Sequence, residues 1–252
     1  VVVERFPVFS DVPAVARLGQ EILAALTESR PFTWLTTLPP GLTHHLVVPP
    51  EGVPIGDAVP FGPSAVERAR IAYEQRFAGL SDTSDPEFFI HSVPPRSRLL
   101  IVGATDIATH LVRLAAGLDF ETVVIDPREA FASKDRFSPA PDRIITRWPQ
   151  EVLPELDIDD ETYVVLLTHD PKLDDPALHV LLESPVAYIG ALGSRRTHGR
   201  RLERLAAAGF DSKAAARVIG PVGLDIGASS PAEIALSIIS QVVTARNRVV
   251  SD

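Results

Sequence analysis

Two rhythms of apolar and polar positions divide the chain near Pro94. Before it, apolar residues recur at helical spacing over Val12–Leu26, with Asp11 placed to cap the first turn, and again over Ser64–Phe77. Strand patterns cover Val1–Val8, Phe32–Leu38, Leu46–Val48 and Glu87–Val93. Pro39-Pro40-Gly41 reads as a turn, and Pro49–Pro63, rich in Pro and Gly, reads as loop. No repeating strand–helix alternation runs through this half, so it predicts a small α+β domain.

Pro94-Pro95 breaks the chain, and the rhythm then changes. Short apolar strands are predicted at Leu99–Val102, Thr122–Ile125, Ile144-Ile145, Thr162–Thr168 and Val186–Ala191. Helices are predicted between and after them at Asp106–Ala116, Pro176–Leu182, Arg196–Ala208 and Pro231–Arg246, the third ending at Gly209. Strands alternating with helices imply a parallel sheet covered on both faces. The expectation is therefore an α/β protein: a Rossmann-like domain over residues 96–252, preceded by a smaller α+β domain over 1–95.

Composition narrows the chemistry. The 252 residues carry a formal charge of −9, with 45% hydrophobic and 23% charged residues. That is a globular composition, and its acidity argues against nucleic acid as a main partner. No apolar run reaches the roughly 18 residues of a membrane span, and the first residues lack a signal-peptide pattern, so cytoplasm is the expected location. Cysteine is absent, which leaves no disulfide, thiolate metal site or cysteine nucleophile in this chain. Methionine is absent as well, even at position 1, as expected of a piece of a longer chain. His44-His45 precedes a strand without an evident third ligand, so no metal site is assigned.

The chemistry gathers at strand ends. Leu99–Val102 runs through Gly103-Ala104-Thr105-Asp106 into a helix, the place where a Rossmann domain holds a dinucleotide pyrophosphate. The middle glycine of that fingerprint is replaced by Thr105, whose Cβ obstructs close approach. Asp106 repels a phosphate at a helix N-terminus, although it suits a cap. Asp126 ends the next strand 23 positions after Gly103, the spacing of a ribose-binding carboxylate. It also fits a simple turn, Asp126-Pro127-Arg128. Arg128 is placed to favour a 2′-phosphate.

Further on, Thr168-His169-Asp170-Pro171-Lys172 follows a strong strand. His169 suits proton transfer or hydrogen bonding, while Asp170-Pro171 equally suits a turn and helix cap. Gly193-Ser194-Arg195-Arg196-Thr197-His198 combines a free backbone, hydroxyls and two guanidinium groups at a helix start. Arginine is disfavoured there unless an anion offsets it, so this turn reads as an anion site, with an exposed basic helix start as the alternative. Gly223-Leu224-Asp225-Ile226-Gly227-Ala228 is a glycine-punctuated loop whose one charged side chain, Asp225, is placed to reach a ligand or the loop's own amides. Ser229-Ser230-Pro231-Ala232-Glu233 reads as a helix cap.

Thr168–Lys172, Tyr188–His198 and Gly223–Ala228 occur in order, and together they resemble the xanthine dehydrogenase accessory family of XdhC/CoxI type. The resemblance covers residues 96–248, including Val124–Arg128 and Arg136-Phe137. Residues 1–95 resemble more loosely the second part of that family's N-terminal region. The resemblance implies a Rossmann domain joined to a smaller domain. It also implies a maturation role: binding molybdenum cofactor, protecting it, and delivering it to a molybdenum hydroxylase client of the xanthine or carbon monoxide dehydrogenase type. In some systems a cysteine desulfurase partner adds the terminal sulfur. On this reading the cofactor lies across the strand ends, near Gly103, Thr105, Asp106, Asp126, Thr168, His169, Asp170, Lys172, Gly193, Ser194, Arg195, Arg196, Thr197 and Asp225. No residue is assigned covalent chemistry.

The chain departs from the family pattern in three places. Many members carry a Gly-His pair where this chain has Thr105-Asp106. The usual Ser-Gly-Gly-Cys stretch is missing. Without cysteine, the chain itself carries no persulfide. Two other readings stay open: an NAD(P)-dependent oxidoreductase with His169 or Lys172 as proton donor, and a ligand-free interaction module contacting its client through Pro49–Pro63 and Phe61. A homodimer is the expected assembly.

Overall fold

The apolar run at Leu99–Val102 forms the first strand of a parallel sheet, as its unbroken hydrophobic character requires. The computed structural model describes residues 13–38, 44–81 and 87–248. The chain falls into two compact units divided between Pro95 and Arg96. The expected strand Val1–Val8, the cap Asp11 and the turn Pro39-Pro40-Gly41 lie outside the described residues.

The first unit holds helix α1 (Pro13–Thr27) and helix α2 (Ala65–Glu74). Its strands are β1 (Phe32–Thr37), β2 (His45–Val48), β3 (Ile55–Gly56), β4 (Ala78–Leu80) and β5 (Phe88–Val93). They form an antiparallel sheet in the order β3-β2-β1-β5-β4. The two-residue period of a strand sorts the side chains. Leu35, Leu46 and Val48 pack with Ala65, Ala69 and Ala72 of α2, while Phe32 and Val47 pack with Leu18, Ile22 and Ala25 of α1. The stretch 49–63 differs from the expected loop: it contains β3 and a single 3₁₀ turn, Val59–Phe61. Phe61 is buried, edge-on to Phe88, so it belongs to this core and is not a client contact.

The second unit is a six-stranded sheet: β6 (Arg98–Val102), β7 (Glu121–Ile125), β8 (Arg143–Ile145), β9 (Thr162–Leu166), β10 (Tyr188–Ala191) and β11 (Val218–Ile219). All pairings are parallel and the order is β11-β10-β9-β6-β7-β8, the doubly wound arrangement of a Rossmann domain. Its helices are α3 (Asp106–Ala116), α4 (Pro149–Val152), α5 (Pro171–Leu182), α6 (Arg195–Ala207), α7 (Ser212–Ala215) and α8 (Pro231–Arg248). Alternate residues of β6 face different layers. Leu99 and Ile101 pack with α3 and α8, and Leu100 and Val102 with α4 and α5. Helix α5 begins at Pro171 rather than Pro176, because Asp170 caps it and proline is well suited to a first helical position. Among the described residues no helix is long and apolar enough to cross a membrane.

Candidate functional site

Strand order reverses between β6 and β9, so the loops leaving these strands diverge and open a crevice at the carboxyl edge of the sheet. A cleft of about 480 Å³ lies there, lined by Thr105, Arg128, Leu167, Thr168, His169, Asp170 and Pro171. A second hollow, of about 410 Å³, lies in the antiparallel unit against α2 and includes Ile71, Phe77, Leu80 and Ile90. The cleft is the stronger candidate, because polar groups from three strand ends converge on it.

Its floor depends on Gly103. This residue has φ +105°, and a Cβ placed on it would stand 2.6 Å from Thr168 Cγ2. Only glycine lets the β6 loop close against the β9 loop this tightly. Thr105 then caps α3, its Oγ1 accepting the Ala108 N–H at 3.4 Å. Asp106 is therefore not the cap. It is exposed, with Arg136 Nη2 at 2.8 Å from its carboxylate. Arg136 Nη1 also donates to the carbonyls of Ala104 at 2.6 Å and Phe131 at 3.0 Å. One side chain thus ties the glycine turn to the loop after β7 and offsets the acid that would repel an anion.

Asp126 departs from its expected role. Its side chain is fully buried. One oxygen accepts the Ala104 N–H at 2.8 Å and Arg128 Nη2 at 2.7 Å. The other accepts the Arg128 amide at 3.0 Å and Arg128 Nε at 2.9 Å. Four donors fill the four acceptor positions of a carboxylate, which leaves none for a ligand hydroxyl. Burial pushes its pKa up, but the Arg128 side chain and the two amides outweigh this and hold it below the ordinary carboxylate value. What reaches the cleft from β7 is Arg128, with its guanidinium 4.3 Å from the centre of the Phe131 ring.

The β9 end is built on a buried charge network that no local pattern in the sequence reveals. Thr168 donates to one oxygen of Asp174. The other oxygen accepts Arg201 Nη2 at 3.1 Å, and that nitrogen also donates to the Leu192 carbonyl at 3.0 Å. The Asp174 and Arg201 side chains are 3% and 2% exposed, so the pair lies out of water. Burial pushes the Asp174 pKa up against the pull of Thr168 and Arg201. The network locks the Thr168–Asp170 segment to the turn after β10. Asp170 accepts the Lys172 amide at 3.0 Å, the helix-cap role, while His169 and Lys172 are exposed.

The turn after β10 stands two strands from β6, about 10 Å along the sheet edge. Gly193 has φ +139°. Ser194 caps α6, accepting the Thr197 N–H at 3.1 Å, with the two hydroxyls 3.0 Å apart. Arg195 and Arg196 are exposed and have no ion pair among the described residues. Behind them burial, then Arg201, pushes the His198 pKa down, which favours the neutral ring. Asp225 is exposed in the loop after β11.

Of the predicted residues, Thr105, Thr168, His169 and Asp170 thus meet in the cleft. Gly103 and Asp126 shape its floor. Gly193 and Ser194–Thr197 form a separate turn on the same edge, and Asp106, Lys172 and Asp225 do not line the cleft. No spacing in the sequence marks the contacts of Arg136 or the Asp174–Arg201 pair, which form only through tertiary packing. The arrangement offers donors, fixed positive charge and an open crevice.

Residues 99–242 match the family model described as the XdhC Rossmann domain. The chain is 33% identical over 161 residues to a Bacillus subtilis (strain 168) protein named as a probable xanthine dehydrogenase subunit. That match covers 64% of this chain and 46% of the relative. It is 30% identical over 152 residues to "Molybdenum cofactor insertion chaperone PaoD" of Escherichia coli (strain K12), covering 60% of this chain and 41% of that protein. The chain thus spans less than half the length of these relatives. Its fold is similar to the crystal structure of a xanthine dehydrogenase from Bacillus halodurans. The TM-score is 0.73 at 26% identity, covering 94% of this chain and 66% of that one.

Proposed function

The chain belongs to the XdhC family, and on that footing we propose that it is a maturation factor for molybdenum hydroxylases that binds molybdenum cofactor and assists its insertion. The observation that carries the reading is the pairing, on one sheet edge, of an open cleft at the strand-order reversal with an arginine turn lacking protein counter-ions among the described residues. The cargo is a pterin bearing a phosphate. The Ser194–Thr197 turn suits the phosphate: helix amides, hydroxyls and two guanidinium groups present donors to an anion. The cleft suits the pterin, whose edge carries both donors and acceptors. Thr105, His169 and Asp170 face it with matching groups. The name of the relative PaoD supports the same cargo.

In this reading the protein holds and hands over the cofactor without covalent chemistry. Its client is a molybdenum hydroxylase, its setting is cytoplasmic, and its assembly is a homodimer. Sulfur addition is left to a partner cysteine desulfurase, as the family resemblance implies for some systems. The nicotinamide alternative has less support. Thr105 replaces the middle glycine, and Asp126 has no acceptor position left for a ribose.

The test is anaerobic purification from a host that makes molybdenum cofactor, followed by assay of the denatured sample for fluorescent oxidised pterin. Near-stoichiometric pterin is expected, and a level equal to that of an unrelated protein defeats the reading. Arg196→Ala is expected to weaken pterin binding severalfold with the fold intact, and unchanged affinity removes the anion role of the turn. Calorimetric binding of NADH or NADPH, without pterin, would instead favour the oxidoreductase.

A further inference from the structure

We propose that Arg128 is a rigid stacking plane for the planar heterocycle of the ligand, with Phe131 as its backing and Asp126 as the residue that fixes its orientation. The proposal rests on the pterin reading for the identity of the ring and names which part of the cargo the β7 end takes.

An arginine on a loop normally loses several rotatable bonds of freedom when it binds. Arg128 has already lost them. Nε and Nη2 are held by the two oxygens of Asp126 at 2.9 and 2.7 Å, a bidentate pair that fixes the plane of the guanidinium. The guanidinium carbon lies over the Phe131 ring, 4.3 Å from its centre. Phe131 is itself held, because its carbonyl accepts Arg136 Nη1 at 3.0 Å and its ring centre lies 5.5 Å from that guanidinium.

Yet Arg128 is 44% exposed and lines the cleft. Asp126 takes Nε and Nη2, so Nη1 has no part in that pair, and the exposed remainder of the guanidinium is what the cleft can meet. A flat, delocalised cation that is weakly hydrated on its face stacks favourably on an aromatic ring. A structural ion pair alone would not require an exposed aromatic ring behind it, nor leave the cation open to the crevice. An electrostatic clamp for phosphate would use charge and be indifferent to planarity, and that difference is measurable.

The probes are neopterin monophosphate, adenosine monophosphate and ribose 5-phosphate, the last carrying phosphate without a heterocycle. Binding is read by pterin fluorescence and by calorimetry on wild type, Arg128→Lys and Phe131→Leu. Arg128→Lys keeps the charge and removes the plane. It is expected to weaken neopterin monophosphate about tenfold and to leave ribose 5-phosphate within about twofold. Phe131→Leu, at an exposed position, is expected to weaken the pterin about threefold with the same selectivity. It carries the test if Arg128→Lys proves unfolded by circular dichroism. Equal loss for both ligands, or no loss for the pterin, overturns the proposal in favour of a charge role or none. Selective loss for adenosine monophosphate, in a protein that does not bind the pterin, keeps the stacking plane and defeats the pterin reading. A wild-type protein that binds neither heterocycle overturns both.

Discussion

In the antiparallel sheet of residues 32–93 the buried polar side chains among the described residues are hydroxyls: Thr33, Ser81 and Ser92. Each meets a backbone group, with Thr33 donating to the Ala69 carbonyl at 2.9 Å and Ser92 to that of Phe77 at the same distance. In the parallel unit the buried set also includes Asp126, Glu161, Asp174 and Arg201. Burying a charge costs several kcal/mol before its partners offset it, and a fold that needs only stability does better with apolar side chains. The first sheet follows that rule. The second departs from it, and Asp126, Asp174 and Arg201 all support the loops at the carboxyl edge of the strands. Three of the four buried charges thus lie beneath the loops around the cleft, whereas Glu161, just before the start of β9, accepts the Ser97 hydroxyl at 2.9 Å.

The sharpest way to break this contrast is to remove one member of the buried pair. Asp174→Ala strands Arg201 without its carboxylate and is expected to cost about 3–5 kcal/mol by urea unfolding. The double replacement Asp174→Leu with Arg201→Met is expected to recover most of that loss, and with it to loosen the Thr168 and Leu192 loops. On the proposed reading, pterin binding that survives the double replacement unchanged would show that the pair serves packing alone.

Asp126→Asn is expected to have a smaller effect, about 2 kcal/mol at neutral pH, because Arg128 keeps partial access to water. Its pH signature is distinctive. The carboxyl titrates lower in the fold than in the unfolded chain, where its value is about 3.9. Its contribution is therefore complete above that value and disappears as pH falls through the lower, folded one. The variant should show a flatter acid limb below about pH 4 in unfolding curves. The smallest effect is expected in the other sheet. Thr33→Val removes one neutral hydrogen bond and should cost about 1 kcal/mol, with no effect on ligand binding. A loss there as large as that of Asp174→Ala would erase the distinction between the units.

The same distinction governs how much was legible in the sequence. Patterning reports which face of an element is apolar, and it placed β1, β5, β6, β7 and α3 to within a residue or so. It does not reveal β3, β4 or β11, because elements of two or three residues carry no period. Pro176 led to a late start for α5, although Asp170-Pro171 already held the cap and first-turn signals. At the site, the glycine and capping residues were legible because their constraints are local: Gly103 at positive φ, Ser194 three residues before Thr197. Asp126 was placed at the right strand end, yet its partners turn it inward, and only the folded chain reveals that Arg128 satisfies it. Asp174 and Arg201 are 27 residues apart and meet through tertiary packing, which leaves no trace in spacing.

The exposed arginines at the start of α6 have a consequence for the range over which this protein is felt. The chain as a whole is negative, with a formal charge of −9, so at a distance it turns an anion away. At physiological ionic strength that field fades within about 8 Å, while Arg195 and Arg196 act at contact. A phosphate-bearing ligand therefore meets attraction only in its last few ångströms of approach. Capture should quicken as modest salt screens the body of the protein and slow again once salt competes at the turn itself. Such a surface discriminates by contact rather than by reach.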